Sequence, residues 1–410
     1  MLTVAEARSR ILAAFSPLGS ELVGLENALG RVLAAPVIAR LTQPPRAVSA
    51  MDGYALRSAD VLDRGIGADG VSLKVAFEIA AGHPPARPLA PGEAARIFTG
   101  AMLPDGADSI VIQENSRPGA SGTIHLTDAR FRVGQHVRAG GLDFTAGDLG
   151  LAAGRCLTAR DIGFAAAMNW PWLTVVRRPR LALLSTGDEL VNPGEQLAPG
   201  KIMASNGFAI AALLRASGAD VINLGNAPDD ETQLAAMIAT ARGADLLVTI
   251  GGASVGDHDL VQRVLKSQGV ALDFWKIAMR PGKPVMFGQL GDLRVIGLPG
   301  NPTSALVTSI LFVRPAIARM LGQDTAEQLD QAVLGRDLPA NDQRQDYLRA
   351  TLERDAEGHE VATPFQLQDS SMISLLARAD ALVIRAPHAP AAKAGDRVQM
   401  IRLGGSALSI

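Results

Sequence analysis

Hydrophobic and polar positions along this chain change period three times, and the changes divide it into stretches of different texture. Over residues 3–16, Val4, Ile11, Leu12 and Phe15 fall near one helical face, which predicts a first helix. A second helix is predicted over Leu25 to Ala35. Residues 41–60 are proline-rich and then irregular. From 71 to 138 short apolar-polar alternations, such as VSLKVAFEIAAG and SIVIQEN, are separated by Gly and Pro turns. This predicts a small β-rich domain inserted into a helical one.

From residue 180 the pattern becomes strand, helix, strand. RLALLST, ADVINLG, ADLLVTIGG and LRVIGLPG read as buried strands, with helical segments NGFAIAALLRASG, DETQLAAMIATARG and HDLVQRVLKSQG between them. Such alternation predicts parallel pairing with helices on both faces of the sheet. After about residue 325 the texture turns β-rich again, in DYLRATLE, HEVATPF, ALVIRAP and RVQMIRL. The fold class expected is therefore α/β and β multidomain. It comprises a β-rich domain inserted into a helical one, a doubly wound α/β domain from about residue 180 to 325, and a small β domain after it.

Composition narrows the function classes. At 410 residues the chain exceeds one ordinary core, and 48% apolar with 20% charged residues is globular composition. A net charge of −2 offers no global field for nucleic acid or an anionic membrane, so any bound anion needs a local site. Cys156 is the single cysteine, which excludes an internal disulfide and a multi-cysteine metal site and fits a cytoplasmic protein. The six histidines form no helical ligand pair. A metal would fall to carboxylates and other oxygens, which points to Mg²⁺. Glu6, Arg8 and Arg10 interrupt the place of a signal-peptide core, and Pro299 to Pro302 break the long uncharged run from Val295 to Val313, leaving too little to span a bilayer.

In open α/β sheets, ligands bind beyond the carboxyl ends of the strands. Three predicted strands end in unusual chemistry: Thr186-Gly187-Asp188-Glu189, then Gly251-Gly252-Ala253-Ser254-Val255-Gly256-Asp257-His258-Asp259, then Pro299-Gly300-Asn301-Pro302. The glycine loop lets backbone N–H groups approach an anion, and Asn301-Pro302 reads as the start of a helix whose free N–H groups make a second anion site. Carboxylates beside such cradles commonly act through a bridging Mg²⁺. Each feature also has a plain alternative: a tight turn, a helix cap, a solvated acidic loop. Their coincidence at three ends of one sheet favours a site.

Standard signatures add little. Gly65, Gly67 and Gly70 spell G-x-G-x-x-G but follow VLDR rather than a buried strand, and no P-loop occurs. Gly252 to Gly256 matches the hydrolase elbow around Ser254, but the later histidines outside that loop, His359 and His388, lie in the terminal β region. Arg280-Pro281-Gly282-Lys283-Pro284 spaces two cations on a rigid turn, suited to a small oxyanion or to a solvated surface turn.

Seven segments together resemble the molybdopterin molybdenumtransferases, relatives of the gephyrin E domain. They are SAMDGYALR (49–57), RIFTGAMLPDGADSIVIQE (96–114), RAGGLDFTAGD (138–148), LSTGDEL (184–190), TIGGASVGDHDLV (249–261), RPGKPVMFG (280–288) and GLPGNPTSA (297–305). The resemblance spans essentially the whole chain. It implies a homodimer of four-domain subunits: a discontinuous N-terminal domain over 1–45 and 139–176, an inserted β-rich domain over 46–138, an α/β domain over 177–325 and a barrel-like β domain over 326–410, with the site between the α/β domain of one subunit and the inserted domain of its mate. It implies Mg²⁺-assisted insertion of molybdate into adenylylated molybdopterin with release of AMP.

By the same resemblance, catalytic positions fall on Asp52, Thr99, Asp143, Glu189, Asp229 and Asp259, with Asp188, Glu189, Asp229 and Asp259 as metal ligands. Substrate contacts fall on Asp188, Gly251, Gly252, Ser254, Gly256, Pro299, Asn301 and Pro302, and molybdate contacts on Arg280, Lys283, Arg349 and Ser370 or Ser371. Departures from the family pattern are Val48 for its Asn, Ala253 for its Val and Arg280 for its Lys. The rival readings are a molybdopterin adenylyltransferase, which needs neither accessory domain, a tungstate-inserting paralogue, and a non-catalytic scaffold.

Overall fold

The computed structural model describes residues 1–63, 70–252 and 260–404. Packing divides these into two compact units: residues 1–35, 153–160 and 172–404 in the first, and 36–152 with 161–171 in the second.

The N-terminal helix forms as its pattern predicts. Helix α1 (Val4–Ala13) opens with a reciprocal cap: Glu6 N donates to Thr3 Oγ1 at 3.2 Å, and Thr3 N donates to the Glu6 carboxylate at 2.8 Å. Such a cap contributes about 1 kcal/mol. Ala7 and Ile11 face inward with no exposed surface. The second predicted helix does not form. Only Leu25–Asn27 makes a 3₁₀ turn. The chain then turns at Gly30 and pairs with distant backbone, Leu33 N donating to Arg155 O and Val176 N to Val32 O. Non-local ladder bonds thus take the groups that a helix would have used.

The second unit holds a six-stranded sheet made from β1 (Gly53–Leu56), β2 (Val71–Ile79), β3 (Glu93–Ile97), β4 (Ser109–Ile112), β5 (Ser116–Pro118) and β6 (Thr123–Leu126), in the order β4-β1-β3-β2-β6-β5. Apolar clusters lie on both faces, one around Leu56, Leu73 and Leu126, the other around Ile79, Ile97 and Ile110.

In the first unit, β7 (Arg180–Thr186), α2 (Asn206–Ala216), β8 (Asp220–Ala227), α3 (Glu231–Ala239), β9 (Leu246–Ile250) and α4 (Leu260–Ser267) alternate as expected. They are followed by β10 (Ala271–Phe274), β11 (Met286–Leu290), β12 (Leu293–Leu298) and α5 (Pro302–Thr308), which continues through a π-turn at Ser309–Val313 into α6 (Arg314–Met320). The sheet order is β8-β7-β9-β12-β11-β10. Side chains alternate between its faces: Leu181, Leu183, Val248 and Ile296 pack with α1, α2 and α5, while Ala182, Leu184, Leu247 and Val295 pack with α3 and α4.

The sheet is not wholly parallel, as the alternation had implied. β10 and β11 run antiparallel at one edge, because Gly291-Asp292 closes a two-residue hairpin between β11 and β12. The terminal region closes into a small barrel from β13 (Asp330–Leu334), β14 (Gln345–Arg354), β15 (Glu360–Pro364), β16 (Ala381–Arg385) and β17 (Arg397–Arg402), the ring completed by β14 pairing with β16. Residues Met279–Arg280 add a short parallel strand to β14.

No helix among the described residues is long and apolar enough to cross a membrane.

Candidate functional site

Strands β7, β9 and β12 are neighbours and parallel, with Ser185 opposite Ile250 and Ile250 opposite Leu298. Their carboxyl ends are therefore level, and the three loops read from the sequence leave the sheet side by side. Gly251 N donates to Leu298 O at 3.1 Å, and Gly300 lies against Gly251. Gly251 and Gly252 have φ of +88° and +62°. A Cβ on Gly251 would stand 2.7 Å from Thr186 O, and one on Gly252 would stand 2.1 Å from Val261 Cγ2. Only glycine passes at both positions. Ala253, Ser254, Gly256, Asp257, His258 and Asp259 lie outside the described residues, as do Gly65 and Gly67.

The acidic loop after β7 meets the end of β8. Asp188 Oδ1 accepts from Asp229 N at 3.0 Å, and Asp188 O accepts from Lys201 Nζ at 2.5 Å. Asp188, Glu189 and Asp229 are exposed, and the Glu189 carboxylate lies against Gly187. Among the described residues no three metal-ligating side chains converge. The exposed Asp188 carboxylate is a hard oxygen donor of the kind Mg²⁺ takes, one or two per ion, with water and phosphate in its remaining positions. Sequence reasoning missed Lys201 and Asn206. Asn206, at the start of α2, donates from Nδ2 to Gly300 O at 2.6 Å, while its Oδ1 is buried without a partner among the described residues. Nothing in their spacing announces either residue.

The start of α5 departs from expectation. Pro302 occupies the first helical position, but the Asn301 side chain makes no cap bond. It donates instead to Ser370 Oγ at 2.8 Å, and Thr303 N donates to Ser370 O at 3.1 Å. The barrel loop 368–372 thus covers this helix start and takes one of the N–H groups that an anion would need. Pro299 is buried beneath it.

The four basic and hydroxyl positions expected around an oxyanion have different surroundings. Arg280 Nε donates to Asp346 Oδ1 at 2.9 Å, its Nη2 contacts Asp346 Oδ2, and Asp342 lies at 3.5 Å. Asp346 is buried, and its bonds hold Arg280 in the charged form, above the ordinary arginine value. Arg280 is therefore already neutralised. Lys283 is half-buried and makes no ion pair among the described residues. Gly282 between them has φ +108°, and a Cβ there would stand 2.4 Å from Thr308 Cγ2, which fixes the turn against α5.

Arg349 is 1% exposed. Its Nε donates to Gln368 Oε1 at 3.0 Å and its Nη1 to Asp369 O at 2.8 Å, with longer contacts to Thr303 Oγ1 at 3.3 Å and Met372 O at 3.5 Å. Burial lowers its pKa, partly offset by Asp369. Ser371 Oγ donates to Asp369 Oδ1 at 2.7 Å. Arg349 and Gln368 thereby shape the loop that presents Ser370.

In the second unit, Asp52 and Thr99 meet. Asp52 Oδ1 accepts from Thr99 N at 2.7 Å and from Thr99 Oγ1 at 2.8 Å. The Thr99 backbone N–H, then its hydroxyl, then the Arg96 charge hold the Asp52 carboxyl below the usual aspartate value. Arg96 is itself stacked on Tyr54 and Phe98, 5.1 Å from each ring centre. Asp143 lines a cavity of about 730 Å³ in this unit, together with Gly100, His83, Arg138 and Val48.

The chain matches three family descriptions: "MoeA N-terminal region (domain I and II)" over residues 2–169, "Probable molybdopterin binding domain" over 182–319, and "MoeA C-terminal region (domain IV)" over 331–403. It is 42% identical to a molybdopterin molybdenumtransferase of Nostoc sp. over 74% of this chain and 70% of that one. It is 38% identical to the molybdopterin molybdenumtransferase of Haemophilus influenzae over 79% of this chain and 78% of that one. Among solved structures, a molybdopterin biosynthesis moeA protein from Pyrococcus horikosii matches with a TM-score of 0.86 at 31% identity, covering 99% of this chain and 100% of that one.

Proposed function

Because the chain belongs to the molybdopterin molybdenumtransferase family, enzymes of molybdenum-cofactor biosynthesis, we propose that it inserts molybdate into adenylylated molybdopterin and releases AMP. The observation that carries this reading is the level end of β7, β9 and β12, where a Cβ-free turn at Gly251-Gly252 adjoins the Asp188–Asp229 pair. The Gly252 end of the glycine turn faces the diphosphate of the substrate, since the Gly251 N–H is taken by Leu298 O. Asp188 and Asp229, with Glu189 and Asp259, hold Mg²⁺, which when bound neutralises phosphate charge. Ser254, Gly256, Pro299, Asn301 and Pro302 shape the substrate pocket.

Molybdate is substrate. Lys283 is its principal cation, since Arg280 is engaged by Asp346, and Ser370, held by Asn301, offers a hydroxyl. Arg349 acts through the loop it positions. The working unit is a cytoplasmic homodimer of four-domain subunits divided as the sequence suggests. Asp52, Thr99 and Asp143 serve the reaction from the partner copy.

The test is AMP release from adenylylated molybdopterin, followed by chromatography as molybdate is varied. Glu189→Ala is expected to abolish release while the protein stays folded. Lys283→Ala is expected to raise the half-saturating molybdate concentration. Normal turnover in the first variant would remove the acidic loop from the reaction, and an unchanged molybdate dependence in the second would place the oxyanion elsewhere. Mixed dimers of Asp52→Asn and Glu189→Gln are expected to regain activity that neither variant has alone. ATP with metal-free molybdopterin should yield no adenylylated product, and substituting tungstate tests the remaining paralogue reading.

A further inference from the structure

A second group of cations gathers in the first unit at residues the proposed reaction does not use. A cavity of about 730 Å³ is lined by Arg8 of α1, Arg178 just before β7, Arg215 at the end of α2 and Arg314 at the start of α6. The carboxylates on its wall are Asp324 and Glu327, so the lining carries a net charge of +2 in a chain whose net charge is −2.

Two of the four guanidiniums are partly occupied: Arg8 donates to Thr325 O, and Arg215 Nη2 donates to Val221 O at 3.0 Å. The Arg178 and Arg314 side chains make no hydrogen bond or ion pair among the described residues. Asp324 accepts from Ala326 N at 2.9 Å, and Glu327 is the carboxylate whose charge acts on Arg314. Arg314 is accessible within the cavity, yet surrounding protein and then the nearby Arg8 lower its pKa below the ordinary arginine value, against the pull of Glu327. Arg178, Arg215 and Arg314 are exposed and Arg8 is half-buried, so water screens their mutual repulsion in part, and a bound anion relieves the remainder. The wall is mixed: Leu213, Ile310, Leu321 and Leu403 give it an apolar part, and Ser217, Gln323 and Gln328 a polar one.

We propose that this cavity is a second anion site, one that takes a phosphate monoester of a small organic molecule. The guanidinium forks of Arg178 and Arg314 receive the phosphate oxygens, and the apolar part of the wall receives the organic body. The cavity shares no residue with the proposed catalytic or molybdate positions, so this assignment stands apart from the reaction.

Calorimetric titration of the intact protein with AMP and with inorganic phosphate tests it. AMP serves as the phosphate monoester probe, and two AMP sites per chain are expected, one of them the product site. Arg178→Gln/Arg314→Gln should retain one AMP site and lose the other, weakened by at least about tenfold through loss of charge-assisted bonds, with turnover at saturating substrate unchanged. Glu327→Gln, which removes the opposing charge, should tighten the same site by roughly threefold or more, and it reads the proposal even if the double variant folds poorly. AMP stoichiometry and affinity unchanged in both variants would overturn the assignment. Inorganic phosphate binding as tightly as AMP would overturn the organic-body half of it. If the cavity site persists while AMP release is absent, the catalytic reading fails and this one stands.

Discussion

Replacing Arg349 by Met removes every side-chain donor at a residue that is 1% exposed, while keeping an unbranched stem of similar reach. Two bonds are well formed, Nε to Gln368 Oε1 at 3.0 Å and Nη1 to Asp369 O at 2.8 Å, and the contacts at 3.3 and 3.5 Å count for little. Bonds from a charged donor are worth about 1.5–3 kcal/mol each, so roughly 3–6 kcal/mol is lost from the pair. Part returns because a buried charge no longer has to be held out of water. Gln368 is not orphaned either: its Oε1 still accepts from Arg349 N, and its Nε2 still donates to Arg349 O and Phe365 O, each at 3.0 Å.

The net local cost is about 2–4 kcal/mol. It falls on loop 368–372 rather than on global unfolding, since the lost bonds end there. At 1.4 kcal/mol per tenfold, amide protection over 366–373 should drop roughly 30- to 700-fold. Hydrogen exchange followed by mass spectrometry reads this directly. Arg349→Lys keeps the charge but not the fork, and should lose nearly as much protection. Unaltered exchange in the Met variant would refute the loop-shaping role. Full rescue by Lys would show that charge alone matters at this position.

Three further outcomes are expected. Gly282→Ala forces a side chain into a φ of +108° and against Thr308 Cγ2, which should destabilise the first unit by about 2–4 kcal/mol and raise the half-saturating molybdate concentration; denaturant titration and AMP release read the two effects. Thr99→Val keeps the backbone N–H bond to Asp52 but removes the hydroxyl, so the Asp52 pKa should rise part of the way toward the ordinary aspartate value, as carboxylate NMR would record. The Arg344 side chain and backbone lower the Asp342 pKa from 3.8 to about 2. A depressed carboxylate stabilises the fold above its unfolded pKa and stops doing so as pH falls through the folded one. The melting-temperature gap between wild type and Asp342→Asn should therefore be full above pH 4 and close by about pH 2.

The wild-type sequence made the central chemistry legible where a local rule applied. Thr3 and Glu6 three residues apart specify a cap whatever surrounds them, and strand-helix alternation from residue 180 specifies a sheet covered on both faces. Where backbone groups choose between near and far partners, local reading failed. Leu25 to Ala35 carries a helical pattern, but Leu33 N and Val32 O find strand partners more than a hundred residues away. The sequence pattern marks neither β10 nor β11, and the hairpin at Gly291-Asp292 is what aligns β11.

The site divides in the same way. The sequence determined which chemistry is available: glycines where a backbone must pass closely, carboxylates beside them, cations on a Pro-Gly turn, and a family resemblance carried by seven segments. Only tertiary structure decided which of those groups are free. Arg280 and Lys283 look alike on a printed turn, yet Asp346, 66 residues from Arg280, neutralises Arg280 and leaves Lys283 without an ion pair among the described residues. Of the two residues that the resemblance places at the oxyanion, Arg349 is buried and bonded to the loop that carries Ser370. A residue type sets what a side chain can do, whereas the partners that occupy it are chosen by contacts between distant segments, which no spacing along the chain encodes.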